Sequence, residues 1–140
     1  MANIVLMLGV REVLTNMKLR KEQVASGAAR GLKKAGLHLQ RASQLVVPVE
    51  FGALKASAYT RSSGLGFSTE VFVGYTASYA LFVHESVGMV LKGQPRTPSP
   101  PHQGQYWDPQ GRGQAKFLEE PARRLTKDMR RIVEDEARIK

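Results

Sequence analysis

From residue 18 to about residue 44 the chain carries no proline, and Val24, Ala28, Ala35, Leu39 and Ala42 recur at the spacing of one helical face. The pattern predicts a first long helix. Its Ala25, Ala28, Ala29, Gly31, Ala35 and Gly36 are small enough to let another backbone approach closely, although each interior glycine costs about 1 kcal/mol relative to alanine. A closely packed neighbour is therefore expected. Upstream, residues 3–8 form a short apolar run ended by Gly9, which reads as a strand whose neighbours cover both faces, or equally as the start of a helix.

The first helix must stop before Pro48, because proline disfavours helical geometry at Val47 and has no backbone N–H to donate. Residues 51–57 then read as one or two helical turns running into an extended segment at 58–61. Ser62, Ser63, Gly64 and Gly66 supply turn chemistry, and residues 67–75 are rich in Val, Phe and Thr with period-two alternation. A β-hairpin follows. Alternation sets Val71, Val73 and Tyr75 on one face and Glu70, Phe72 and Gly74 on the other, so the sheet has a core side and a half-covered side. Residues 78–85 predict a short helix or irregular turn.

Residues 92–114 change character, with Pro95, Pro98, Pro100, Pro101 and Pro109 beside Gly93, Gly104, Gly111 and Gly113. This is a long loop, and Tyr106 and Trp107 give it apolar groups with which to dock onto a neighbouring subunit. Leu118, Ala122, Leu125, Met129 and Ile132 then draw one apolar stripe down a last helix. Pro121 fits its first turn, where no intrahelical donor is needed. The elements add up to an α+β fold: a small, mainly antiparallel sheet packed by two long helices, one in the N-terminal half and one at the C-terminus. At 140 residues the chain is read as a single domain, 1–140.

Composition narrows the function classes. There are no cysteines, which removes thiol nucleophiles, disulfide scaffolds and thiolate zinc sites together and suits synthesis in a reducing cytoplasm. The longest apolar run is far below the roughly 20 residues of a spanning helix, so neither a membrane span nor a signal peptide is expected. The net charge is +9, with the excess concentrated in residues 1–60. Within it, Arg30, Lys34 and Arg41 step with His38 along one helix face, a solvated surface or one that meets nucleic acid or an acidic subunit.

No catalytic constellation is visible. His38, His84 and His102 are far apart without metal-ligand spacing, and the serines sit in no nucleophile elbow. His84 and Glu85 adjoin, which reads as a solvated or hydrogen-bonded pair. Gly64-Leu65-Gly66 lacks the rest of a dinucleotide fingerprint, and no phosphate loop, helix-turn-helix, zinc-finger or RNA-binding pattern occurs. No catalytic, cofactor-binding or metal residue is assigned, and no enzymatic activity is expected.

Three segments together carry a resemblance. Val47-Pro48-Val49-Glu50-Phe51-Gly52-Ala53-Leu54-Lys55-Ala56-Ser57 resembles the Pro-Val-Asp-Thr-Gly-x-Leu-Arg-x-Ser signature of the small head-to-tail joining proteins of tailed bacteriophages, called neck, tail-completion or minor tail proteins. Val73-Gly74-Tyr75 followed by Ser78-Tyr79-Ala80-Leu81-Phe82-Val83-His84-Glu85 is similar to the family's next segment. Lys116-Phe117-Leu118-Glu119-Glu120-Pro121-Ala122 resembles its opening of the last helix. Order and approximate spacing agree over most of the chain. Glu50-Phe51 stands where the family commonly has Asp-Thr, and Lys116 where it has proline.

The resemblance implies a structural virion protein that forms a homo-oligomeric ring in the neck or at the head-proximal end of the tail. Its neighbours would be portal-side, neck or tail-tube proteins, with non-specific contact to passing duplex DNA and no membrane partner. Pro48, Gly52, Leu54, Gly74, Tyr79, Phe117 and Leu118 are the signature positions, expected to build the fold. Arg30, Lys34 and Arg41 are the expected contacts to DNA or to a partner. The alternative is a non-virion basic DNA-binding or regulatory protein using the same stripe.

Overall fold

A computed structural model describes residues 2–87, 91–92, 107–108 and 113–139. It is α+β, built on one helix, α1 (Ala2–Val46), of 45 residues and thus about 67 Å long. Residues 3–8 belong to this helix, which decides between the two readings of that apolar run in favour of the helix. A strand needs a partner for its backbone groups, whereas extending an existing helix adds one hydrogen bond per residue fixed, without a new nucleation cost. The helix ends where Pro48 requires, with Val47 N–H donating to the Ser43 carbonyl at 2.9 Å.

A single turn, α2 (Ala53–Ala56), follows, entered through Gly52 in the left-handed region at φ 83°. Only glycine adopts that conformation without steric cost. Strands β1 (Ala58–Ser63) and β2 (Glu70–Tyr75) pair antiparallel, Ala58 opposite Tyr75 and Ser63 opposite Glu70, around a 3-10 turn at Gly66–Ser68. As the alternation predicts, Val71 and Val73 are half-buried and Glu70 and Phe72 exposed. The inner face packs on α1 at Gly36, where an added Cβ would lie 2.6 Å from Val71 Cγ1. Gln40 accepts a 2.6 Å hydrogen bond from Thr60 at the same contact.

Beyond the hairpin lie α3 (Ala80–Glu85), then β3 (Leu91–Lys92) and β4 (Trp107–Asp108), a two-residue parallel pair with Leu91 opposite Trp107. Most of the loop expected over residues 92–114, Tyr106 included, and the side chain of Trp107 lie outside the described residues. The last helix comes in two pieces, α4 (Glu119–Arg124) and α5 (Thr126–Ala137). At the break the Thr126 hydroxyl donates to the Ala122 and Arg123 carbonyls, at 2.9 and 3.1 Å, a local competition that bends helices. Pro121 sits in the first turn of α4, fully buried.

Helix α5 lies against α1 at a distance that only glycine permits. A Cβ on Gly31 would meet Val133 Cα at 2.7 Å, and one on Gly27 would meet the Glu136 carbonyl oxygen at 2.4 Å. The small-residue face of α1 thus receives its close neighbour from the same chain.

Candidate assembly surface

The three signature segments converge on one core. Val47, Leu54, Ala80, Val83 and Phe117 are its buried residues, with Val46, Tyr75, Ala77 and Leu118 packed against them. Phe117 is 1% exposed and meets two rings edge-on, Tyr75 and His84, each at 5.0 Å between centroids. The Tyr75 hydroxyl shares a 2.7 Å hydrogen bond with Ser43, and burial holds its pKa above the usual 10.0. Pro48 is buried. Gly74 lies under the Tyr59 ring, whose hydroxyl oxygen would be 3.0 Å from an added Cβ. Tyr79 precedes α3 and its carbonyl accepts the Val83 N–H, but its side chain is largely exposed. The side chains of Leu54 and Phe117 therefore fill the core, while Pro48, Gly52 and Gly74 set backbone course and clearance.

A polar clasp closes the junction between α3 and α4. His84 Nδ1 is 2.8 Å from Glu85, and His84 Nε2 accepts the Glu119 N–H at 3.4 Å. Lys116, in the left-handed region at φ 55°, donates its N–H to the His84 carbonyl at 2.7 Å. Its ammonium bridges Glu85 and Glu119. Those hydrogen bonds from Lys116 hold both carboxyls below their usual 4.5 and hold the ammonium above its usual 10.5. His84 and Glu85, expected to be a solvated or hydrogen-bonded pair, are hydrogen-bonded and belong to this clasp.

The pH response follows from those directions. A lowered carboxyl pKa adds stability that is present above the unfolded value and is lost as pH falls through the folded one. A raised lysine pKa adds stability present below 10.5 and lost as pH climbs through the folded value. Lys116→Asn, which keeps a residue tolerant of the left-handed region, should flatten the loss of melting temperature between about pH 6 and about pH 3. Parallel melting curves for the two proteins across that range would show that the clasp contributes nothing.

The basic stripe divides. Arg30 is 3.8 Å from Glu136 of α5, and Lys34 pairs with the same carboxylate. Both cations remain about 60% exposed, so such pairs add little to stability. Arg41 is exposed and forms no ion pair among the described residues. The three are not brought together into a pocket. Among the described residues no group of three or more metal-ligating side chains occurs, and no helix is long and apolar enough to cross a membrane.

The signal that the residue pattern did not yield lies on α1 itself. Residues 9–23 are exposed almost throughout, although Val10, Val13 and Met17 form an apolar row at three-and-four spacing. Further large apolar groups stand exposed, above all Phe51, Leu65, Leu81 and Leu45. The row on α1, which follows one helix face, is the kind of apolar surface that marks contact with a partner. The spacing was visible in the sequence, but a helix taken to begin at residue 18 stops one residue short of it. Comparisons with protein-family models, with curated proteins and with solved structures each find no match to this chain.

Proposed function

We propose that this chain is a non-catalytic structural protein of a tailed-phage virion, assembling as a ring in the neck or at the head-proximal end of the tail to join head to tail. The observation that carries the reading is the meeting of the three resembling segments. Although separated by tens of residues in the sequence, they contribute Val47 and Leu54, Tyr75, Ala80 and Val83, and Phe117 and Leu118 to one small core. A shared motif that encodes a fold should converge in this way. Large apolar side chains stand exposed both on α1 and on the body, as contacts to neighbouring subunits would use. The chain's basic surplus suits a lumen through which duplex DNA passes, contacted without base reading.

Electron microscopy of virions carrying a tagged copy tests the reading. The expected result is ring-shaped density on the tail axis at the junction with the head. Copies scattered over the capsid shell, or missing from virions, would defeat it. Tight binding of the purified chain to one DNA sequence would favour the regulatory alternative, since channel contact is weak, sequence-independent and strongly salt-dependent.

A further inference from the structure

We infer that the projecting half of α1 pairs with the same segment of a second copy, antiparallel about a two-fold axis near Val13. Eighteen residues make about five helical turns, so Gly9, Val13 and Met17 lie on the same face of α1 as Gly27, Gly31 and Ala35. Over that second set the face is covered by α5, which comes close enough to touch the Gly27 and Gly31 backbone. Over the first set no described residue covers it. Val10, Val13 and Met17 are 52%, 57% and 62% exposed, and an added Cβ on Gly9 would find nothing within 4 Å. The uncovered face is the direct continuation of an established helix seam.

A glycine in mid-helix costs about 1 kcal/mol, and among the described residues none approaches Gly9 closely enough to require it. A second helix passing over it would. Centring an antiparallel pair on Val13 sets Val13 against its own copy and lays Met17 of each chain over Gly9 of the other, a large side chain into a small one on both sides of the axis. Charge selects this orientation. Arg20, on the same helix face as Val13, would stand beside its own copy in a parallel pair, whereas the antiparallel arrangement separates the two guanidinium groups along the axis and opposes the helix dipoles. A segment of this length without packing on either side is marginal as an isolated helix, so pairing also maintains its helical state. The inference concerns the free chain and does not depend on a virion role.

The native chain has no cysteine, which permits a direct test. In full-length Val13→Cys, two sulfurs meet at the axis, and mild oxidation should convert nearly all of the protein to a covalent dimer. Glu22→Cys, on the opposite face, should stay uncrosslinked. Sedimentation equilibrium of the unmodified chain should give twice the monomer mass. Val13→Asp should weaken that association by at least about 100-fold with an unchanged thermal transition of the body, because residue 13 is 57% exposed. A monomeric native chain at about 100 µM, equal crosslinking at both positions, or an assembly whose mass Val13→Asp leaves unchanged would overturn the pairing. A native monomer that instead binds phosphatidylglycerol vesicles through this row would assign the face to a lipid surface and equally overturn it. Failure of the virion experiment would leave all of these outcomes as they are.

Discussion

Phe117→Ala is expected to lower the unfolding free energy by about 3–5 kcal/mol, or roughly 10–20 °C in melting temperature for a domain of this size. Phe117 lies at 1% exposure among Val47, Leu54, Ala80 and Val83, with Tyr75 and His84 edge-on to its ring. Truncation removes the side chain that all three chain segments share and leaves a cavity between elements with separate anchors. The core is small, so few neighbours can collapse into the space. The proper control is Phe51→Ala: the same chemical change at a side chain 87% exposed should shift stability by no more than about 0.5 kcal/mol. Urea titrations of the two variants, compared with the parent at constant slope, decide the matter. Similar losses at both positions would mean that the body is not organised around Phe117. A loss at Phe117 below about 1 kcal/mol would mean the same.

The second large effect belongs to the helix seam. Gly31→Leu is expected to cost about 2–4 kcal/mol, because the first added carbon already falls 2.7 Å from Val133 Cα and 3.2 Å from Glu136 Cβ. Backbone cannot rotate aside as a side chain can, so α5 must move bodily away from α1. The better helix propensity of the substitute returns only about 1 kcal/mol. Displacing α5 also parts Glu136 from Arg30 and Lys34, and opens the shallow apolar groove that Leu39, Val73, Met129 and Val133 line where α1, β2 and α5 meet. Amide exchange should show protection falling along α5 while the hairpin stays protected. A variant at least as stable as the parent, with α5 amides unchanged, would contradict this close packing.

These two sites show how far each kind of information reaches. The run of small residues from Ala25 to Gly36 announced a close neighbour, because nothing else compensates glycine in a helix. It did not say which neighbour. Gly27 and Gly31 meet α5, whereas Gly36 meets the hairpin at Val71 and Thr60. The stripe from Leu118 to Ile132 marked a helix, yet the close contact with the α1 glycines runs through Val133, one residue round the helix from that stripe, and through Glu136. Arg30, Lys34 and Arg41 formed one basic row in sequence. In space Glu136 sits beside the first two and leaves the third without an ion pair among the described residues.

By itself the order of residues determined what depends on neighbours along the chain: the helix stop at Pro48, the Gly52 turn, the alternation of Val71, Val73 and Tyr75, and the apolar spacing of the last helix. Each rests on backbone geometry or a local period, so a few consecutive residues suffice. Tertiary structure alone decided that Lys116 clasps Glu85 and Glu119, and that α5 covers one half of a helix face and leaves Gly9, Val13 and Met17 exposed. Those outcomes depend on where distant segments lie in space, and that placement minimises the free energy of the whole chain through packing that no local window contains.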